Sequence, residues 1–164
     1  HTVMEAADLR KAYDADALEE LLTELQQQGR LTEEEKAAIR RKELLTFFSS
    51  DLAKRMQKAD EIHKEQPFAM LVEPKEVFFD DIYQNMEEFI QINGIIDCYF
   101  IEENGVVLVD YKSDRLWQED AFREKYKIQL RLYKEALERV TDLPVKACYI
   151  YAFAPGKMIP MNFD

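Results

Sequence analysis

Asn104-Gly105 constrains this chain more than any other pair of residues. An Asn-Gly step between β-rich runs signals a two-residue hairpin, because both central positions of a type I′ turn need positive φ. Gly105 opens the run Val106-Val107-Leu108-Val109, and Glu88 to Phe100 alternates before turning apolar. With Asn104 and Gly105 at the centre of the turn, Glu103 pairs with Val106. Asp97 then falls opposite Lys112, and Tyr99 opposite Asp110. Side chains alternate faces along a strand. Asp97, Asp110 and Lys112 therefore project from one face, with Asp97 and Asp110 on a diagonal. Ile96, Cys98, Phe100, Val107, Val109 and Tyr111 take the other face, which suits a core.

Strand interiors are normally poor in Asp and Lys. Two neighbouring carboxylates raise each other's pKa unless a cation joins them. The hairpin alone supports two readings. In one, a divalent ion such as Mg²⁺ sits between the carboxylates, where oxygen ligands and retained waters suit it. Lys112 would then orient the attacking water or stabilise charge developing on phosphorus. In the other, Asp97 and Lys112 form a structural ion pair at the edge of the sheet.

The remaining sequence frames this hairpin. Residues 1–60 read as helical. Leu18, Leu21, Leu22 and Leu25 recur at helical spacing before Gly29, a good residue for ending a helix. Thr32 with Glu35 makes a capping box. One further helix is expected to carry Leu44, Leu45, Phe47, Phe48, Leu52 and Met56 on its buried side. The acidic residues from Glu19 to Glu35 read as a solvated face. Strands are expected in 61–72, 76–81, 88–100 and 143–153, and a helix in 118–140. Helices, then a strand meander, then a helix and a strand describe a mixed α/β (α+β) domain.

Composition closes off several alternatives. No apolar run is long enough to span a membrane, and no signal peptide opens the chain, so the simplest location is the cytoplasm. Two cysteines, Cys98 and Cys148, cannot supply four thiolates to a zinc or iron–sulfur site. There is no Gly-rich loop ending in Lys-Ser or Lys-Thr, hence no recognisable ATP site. The 22 basic and 33 acidic residues leave a net charge of −11. That argues against long-range capture of nucleic acid, though not against a local groove or against DNA handed over by a larger partner.

Three segments go beyond a generic hairpin. Gly94-Ile95-Ile96-Asp97, then Val109-Asp110-Tyr111-Lys112-Ser113-Asp114, then Gln129 with Tyr133 resemble the Gly-x-x-Asp strand, Asp-x-Lys strand and Gln-x-x-x-Tyr helix of the RecB-like branch of the PD-(D/E)XK nucleases. His1-Thr2-Val3-Met4 is similar to that family's opening helix, which begins with a metal-binding His. Gln28 to Thr32, Phe47-Phe48 and Lys64-Glu65-Gln66-Pro67-Phe68 resemble the C-terminal nuclease region of AddA-type helicase/nuclease subunits.

The resemblance implies a restriction-endonuclease-like core, a central mixed sheet flanked by helices, with a helical region added at the N-terminus. It implies one nuclease domain over residues 1–164, with 1–60 helical and 61–164 holding the catalytic sheet. It implies His1, Asp97, Asp110 and the backbone carbonyl of Tyr111 as ligands for Mg²⁺ or Mn²⁺, and Lys112 as the catalytic lysine. Gln129 and Tyr133, neighbours at i and i+4, would contact substrate or fix the catalytic groups. Ser113 and Asp114 would support the site. Glu65 matches a recurrent family position without an assigned chemistry. His63 reads as a partly exposed structural residue, and Trp117 as packing or closing the loop before the helix. The resemblance also implies a fragment whose partners are DNA, helicase domains upstream in the same polypeptide, and a second helicase–nuclease subunit.

The leading function is therefore a metal-dependent exonuclease module of a recombination-repair helicase–nuclease, acting on single-stranded DNA. A catalytically silent relative that guides DNA or scaffolds a partner is the alternative. Such relatives usually lose an Asp or the Lys, and this chain keeps Asp97, Asp110 and Lys112. A helical protein-interaction domain suits the negative charge but not the three ordered motifs.

Overall fold

The computed structural model describes residues 1–77, 84–115 and 118–163. Its first third is helical: α1 (Thr2–Ala6), α2 (Ala15–Gln27), α3 (Glu33–Ala38), α4 (Arg41–Phe48) and α5 (Asp51–Lys58). Leu18, Leu21, Leu22 and Leu25 form the buried stripe of α2. At the start of α2 the Asp14 carboxylate accepts from Ala17 N at 2.8 Å. Its end is a Schellman motif around Gly29, φ 75°. There Gly29 N donates to Gln26 O at 3.0 Å and Arg30 N to Leu25 O at 2.9 Å. The expected capping box opens α3, with Glu35 N donating to Thr32 Oγ1 at 3.0 Å and Thr32 N to Glu35 Oε1 at 3.1 Å.

The single helix expected across Leu44 to Met56 is two. Ser50 adopts extended backbone and its hydroxyl accepts from Ala53 N at 3.2 Å, so it caps a new helix instead of continuing the old one. The break lets both short helices turn apolar residues inward. Phe47, Phe48, Leu52 and Met56 join one buried cluster with Leu22 and Leu25.

The sheet runs β1 (Glu61–Val72), β2 (Ile90–Glu102), β3 (Gly105–Lys112), β4 (Val145–Ala152) and β5 (Lys157–Pro160), in that spatial order. β1, β2 and β3 are antiparallel neighbours, β3 and β4 are parallel, and β5 returns antiparallel. The parallel pair needs a crossover, which is the long helix α7 (Glu119–Thr141). Pro74–Val77 forms a helical turn, α6. The strand expected at 76–81 is thus helical at its start, and the rest of it lies outside the described residues. β5 lies beyond the last strand expected from sequence. Among the described residues no helix is long and apolar enough to cross a membrane.

The hairpin turn sits one residue earlier than expected. Positive φ falls on Glu103 (50°) and Asn104 (59°), and Gly105 is already a strand residue opposite Glu102. A Cβ on Gly105 would stand 2.6 Å from Lys146 Cδ, so a larger residue here would have to displace the Lys146 side chain. The pairing slides accordingly: Tyr99 faces Leu108 and Cys98 faces Val109. Continued one place, this register sets Asp97 across from Asp110 rather than from Lys112. The slide spans two residues, so the faces expected for β3 survive. Ile96 is the exception, because the ladder with β3 ends at Cys98 and regular alternation ends with it. Ile96 packs in the cluster with Leu130 beneath α7, not with Cys98 and Phe100.

β3 is buried along nearly its whole length because both faces are covered. Val107, Val109 and Tyr111 meet the N-terminal helices, while Val106 and Leu108 meet α7. Phe47 anchors the first of these layers. It is 0% exposed, and its ring centroid lies 4.8 Å from Tyr151, 5.7 Å from Phe153 and 5.8 Å from Tyr111. Phe47→Ala should lower unfolding free energy by about 3–5 kcal/mol, the usual cost of emptying so large a buried volume. Urea denaturation measures this, and a loss under about 1 kcal/mol would mean that the layer does not depend on Phe47.

Candidate active site

β1, β2 and β3 carry one carboxylate each in a single row. Lys64 pairs with Cys98 and Gln66 with Ile96, so Glu65 lies across from Asp97, which in turn lies across from Asp110. The sheet is interrupted along this row. Glu65 has φ 49°, outside the range of an extended strand. The Tyr111 N–H, unclaimed by the β2 backbone, donates to Asp97 Oδ2 at 2.9 Å. One carboxylate thus fills the gap in the ladder and fixes the peptide that follows Asp110.

Asp110 is 3% exposed and is the one charged residue buried among those described. Its Oδ2 lies 2.9 Å from Lys112 Nζ, since residues i and i+2 share a face of the strand. The contact is an ion pair without hydrogen-bond alignment, so Oδ2 remains buried with no donor directed at it. Burial above all pushes the Asp110 carboxyl up to about 6, and the neighbouring Asp97 adds to the rise against the opposing pull of Lys112. Burial also works against charge on Lys112, but the close negative charge of Asp110 outweighs it and leaves the lysine above its ordinary value. The ion-pair partner of Lys112 is therefore Asp110, not the Asp97 of the alternative reading, which the expected register had put opposite it.

The other residues singled out in the sequence fall around this pair. His1 Nε2 lies 3.2 Å from the Tyr111 carbonyl oxygen, which brings the start of α1 to the end of β3. Burial raises the Glu65 carboxyl, and the charges of Glu5 and Asp97 raise it further, so Glu65 belongs electrostatically to the same cluster. Gln129 Nε2 donates to the Tyr133 hydroxyl at 2.9 Å. Burial raises the Tyr133 hydroxyl, and the charges of Asp110 and Asp97 reach it as well. Ser113 is exposed and lines a cleft of about 250 Å³ with His1, Val3, Met4, Arg40 and Phe153. Asp114 stands apart from the carboxylates and accepts from the Tyr126 hydroxyl at 3.2 Å. His63 stacks on Tyr99, 4.6 Å between centroids, and its Nε2 lies 3.1 Å from Glu61 Oε2. Trp117 lies outside the described residues.

Two neighbours carry no role in the sequence reading. The Phe68 ring packs edge-on against Tyr133, with centroids 5.3 Å apart and planes at 76°. It does so over Gly94, where a Cβ would come 2.7 Å from Phe68 Cε1 and 3.4 Å from Tyr133 Cε1. Glycine in the Gly-x-x-Asp segment is thus required by this close approach. Tyr126 presents its ring to Lys112 at 4.1 Å. Its signal was available, since Tyr126, Gln129 and Tyr133 recur at helical spacing on one face.

Among the described residues no three His, Cys, Asp or Glu side chains stand as a ready metal cage. The arrangement is looser: the Asp97 carboxylate and the His1 imidazole each reach the Tyr111 backbone, and Asp110 lies across from Asp97. That set fits a hard divalent ion which keeps several of its waters. The unsatisfied buried Oδ2 of Asp110 and the mutual repulsion of Asp97 and Asp110 supply the driving force.

Residues 1–161 match the PD-(D/E)XK nuclease superfamily. An ATP-dependent helicase/nuclease subunit from Thermoanaerobacter sp. (strain X514) is 35% identical over 161 residues, covering 97% of this chain and 13% of that protein. The protein of the same name from Clostridium botulinum (strain Loch Maree / Type A3) is 36% identical over 165 residues, covering 99% of this chain and 13% of its own length. That of Clostridium novyi (strain NT) is 35% identical over 167 residues, again 99% and 13%. The chain spans only that small share of the curated relatives it matches.

A proton on Asp110 competes with any cation for the same oxygens. Mn²⁺ affinity should therefore rise with pH until Asp110 is ionised, at about 6, and flatten above it, with protons released on binding below that point. Titration calorimetry across about pH 5 to 8 measures this. Asp110→Asn should bind weakly throughout and lose the step, and an affinity indifferent to pH in the parent would remove Asp110 from the ligand set.

Proposed function

The chain belongs to the PD-(D/E)XK nuclease superfamily, and we propose that it is a Mg²⁺- or Mn²⁺-dependent deoxyribonuclease module that trims single-stranded DNA as an exonuclease. The observation that carries this reading is the buried Asp110–Lys112 pair beside Asp97, with one Asp110 oxygen left without a donor. His1, Asp97, Asp110 and the Tyr111 carbonyl would hold the ion. Bound there, it would polarise a phosphoryl oxygen and make a coordinated water a stronger nucleophile.

The protein's own groups do the rest. Asp97 fixes the Asp110–Tyr111 peptide through the bond to the Tyr111 N–H, and His1 lies against the Tyr111 carbonyl of the next peptide. Lys112 is kept charged by Asp110 and offers its ammonium protons to the attacking water or to the phosphoryl oxygens as charge develops. Tyr133 receives a hydrogen bond from Gln129, so its own O–H is turned toward an acceptor such as a phosphate oxygen. Phe68 and Gly94 hold that ring against rotation. Glu65 adds negative charge at the edge of the cluster.

Delivery of DNA is a separate matter. A net charge of −11 does not recruit a polyanion over distance. The relatives' name couples a helicase with a nuclease, and a motor upstream in the same polypeptide, paired with a second subunit, would thread a strand to this site during recombination repair in the cytoplasm.

Labelled single-stranded DNA with Mn²⁺ should be shortened by the parent and left intact by Asp110→Ala. Lys112→Ala should lower kcat by roughly 10²–10⁴-fold while metal affinity holds. A circular strand should resist cutting if the action is exonucleolytic. Metal binding that persists unchanged without Asp97 and Asp110 would sink the reading, as would cleavage by Asp110→Ala equal to that of the parent.

A further inference from the structure

Lys112 is held on two sides. One is Asp110; the other is the face of Tyr126, whose ring centroid is 4.1 Å from Nζ. That lies well inside the ~6 Å reach of a cation–π contact. The ring is itself clamped. Its hydroxyl donates to Asp114 Oδ2 at 3.2 Å, and Phe122, one helical turn earlier, meets it edge-on at 5.8 Å and 87°. Lys125 also lies 5.1 Å from this ring and 3.5 Å from Asp114, but at the solvent edge. The Lys112 side chain is only 17% exposed. Lysine's four-carbon stem leaves an exposed ammonium free to swing into water, and the ring stands against that.

We propose that Tyr126 is the positioning residue for Lys112, acting through its ring face, with Asp114 setting the ring's angle. Ser113-Asp114 thereby gains a function as part of the Asp-x-Lys segment: Asp114 reaches Lys112 by way of Tyr126 rather than by joining the carboxylates. The helix α7 then serves the site at three successive positions of one face, Tyr126 on the lysine and Gln129 with Tyr133 toward the substrate side. The inference rests on the reading of Lys112 as a catalytic group, and its test includes a readout independent of catalysis.

That readout is the ring current. In the metal-free protein the ε-methylene protons of Lys112, assigned by their loss in Lys112→Arg, should resonate upfield of those of the other lysines. Tyr126→Phe keeps the ring and should keep the upfield shift. Tyr126→Leu should return Lys112 to the ordinary lysine position while its melting temperature and circular dichroism show that it is folded. In the DNA cleavage assay Tyr126→Leu should lose about tenfold in kcat, equivalent to ~1.4 kcal/mol, with KM nearly unchanged, and Tyr126→Phe should stay within about threefold of the parent. An ordinary Lys112 shift in the parent overturns the proposal, as does a Tyr126→Leu protein with parental kcat or with a loss confined to KM. A parent that shows the upfield shift yet cleaves no DNA upholds the hold on Lys112 and overturns the nuclease reading instead.

Discussion

The structure turns on one carboxylate placed where a charge is costly. Asp110 lies between Val109 and Tyr111 on a strand covered on both faces. Removing a charged group from water costs several kcal/mol unless partners replace the lost hydration. Lys112 replaces part of it, and the remainder shows in the raised Asp110 carboxyl and the undirected Oδ2. The same pair on an open surface would be screened and would contribute little. The helices on either side of the sheet therefore do more than complete a core. They create the low-dielectric setting in which the Asp110–Lys112 pair interacts strongly.

The two covers contribute different things. The N-terminal helices bring Phe47 against Tyr111 and His1 against the Tyr111 carbonyl. They thus flank Tyr111 from the side of the aromatic cluster, while Asp97 holds its N–H from the sheet. On the other face, α7 supplies Tyr126, Gln129 and Tyr133, and the Phe68–Gly94 contact braces the last of these. Backbone irregularity falls at the point where chemistry is proposed, and also at a register shift between Val106 and Val107 in the β3–β4 pairing. Glu65 departs from strand geometry and the β2–β3 ladder stops before Asp97. A fully paired sheet at this level would have used the Tyr111 N–H in the ladder and left Asp97 no anchor.

Short-range regularities made much of this legible. Period-two alternation placed Asp110 and Lys112 on one face whatever the pairing, and helical spacing placed Gln129 beside Tyr133. The Thr32–Glu35 box and the Gly29 terminus followed from side chains reaching only a few residues. Errors arose where distant parts of the chain decide. The turn fell on Glu103-Asn104, not Asn104-Gly105, and Gly105 instead sits in the strand against Lys146 of β4. One error was local: the helix expected across α4 and α5 breaks at Ser50, whose hydroxyl caps the next helix three residues on.

By itself, then, the sequence determined which residue types share a face along β3, the termini of α2 and α3 marked by Gly29 and the Thr32–Glu35 box, and which three segments carry the family's motifs. These are consequences of local geometry and need no knowledge of the partner strand. Tertiary structure alone decided that Asp97 lies across from Asp110 instead of Lys112, that Ile96 turns toward α7, and that Tyr126 covers the lysine. Each of these depends on contacts between elements far apart in the chain. Register and packing are settled there by which arrangement fills space and satisfies the backbone, not by any pattern within one segment.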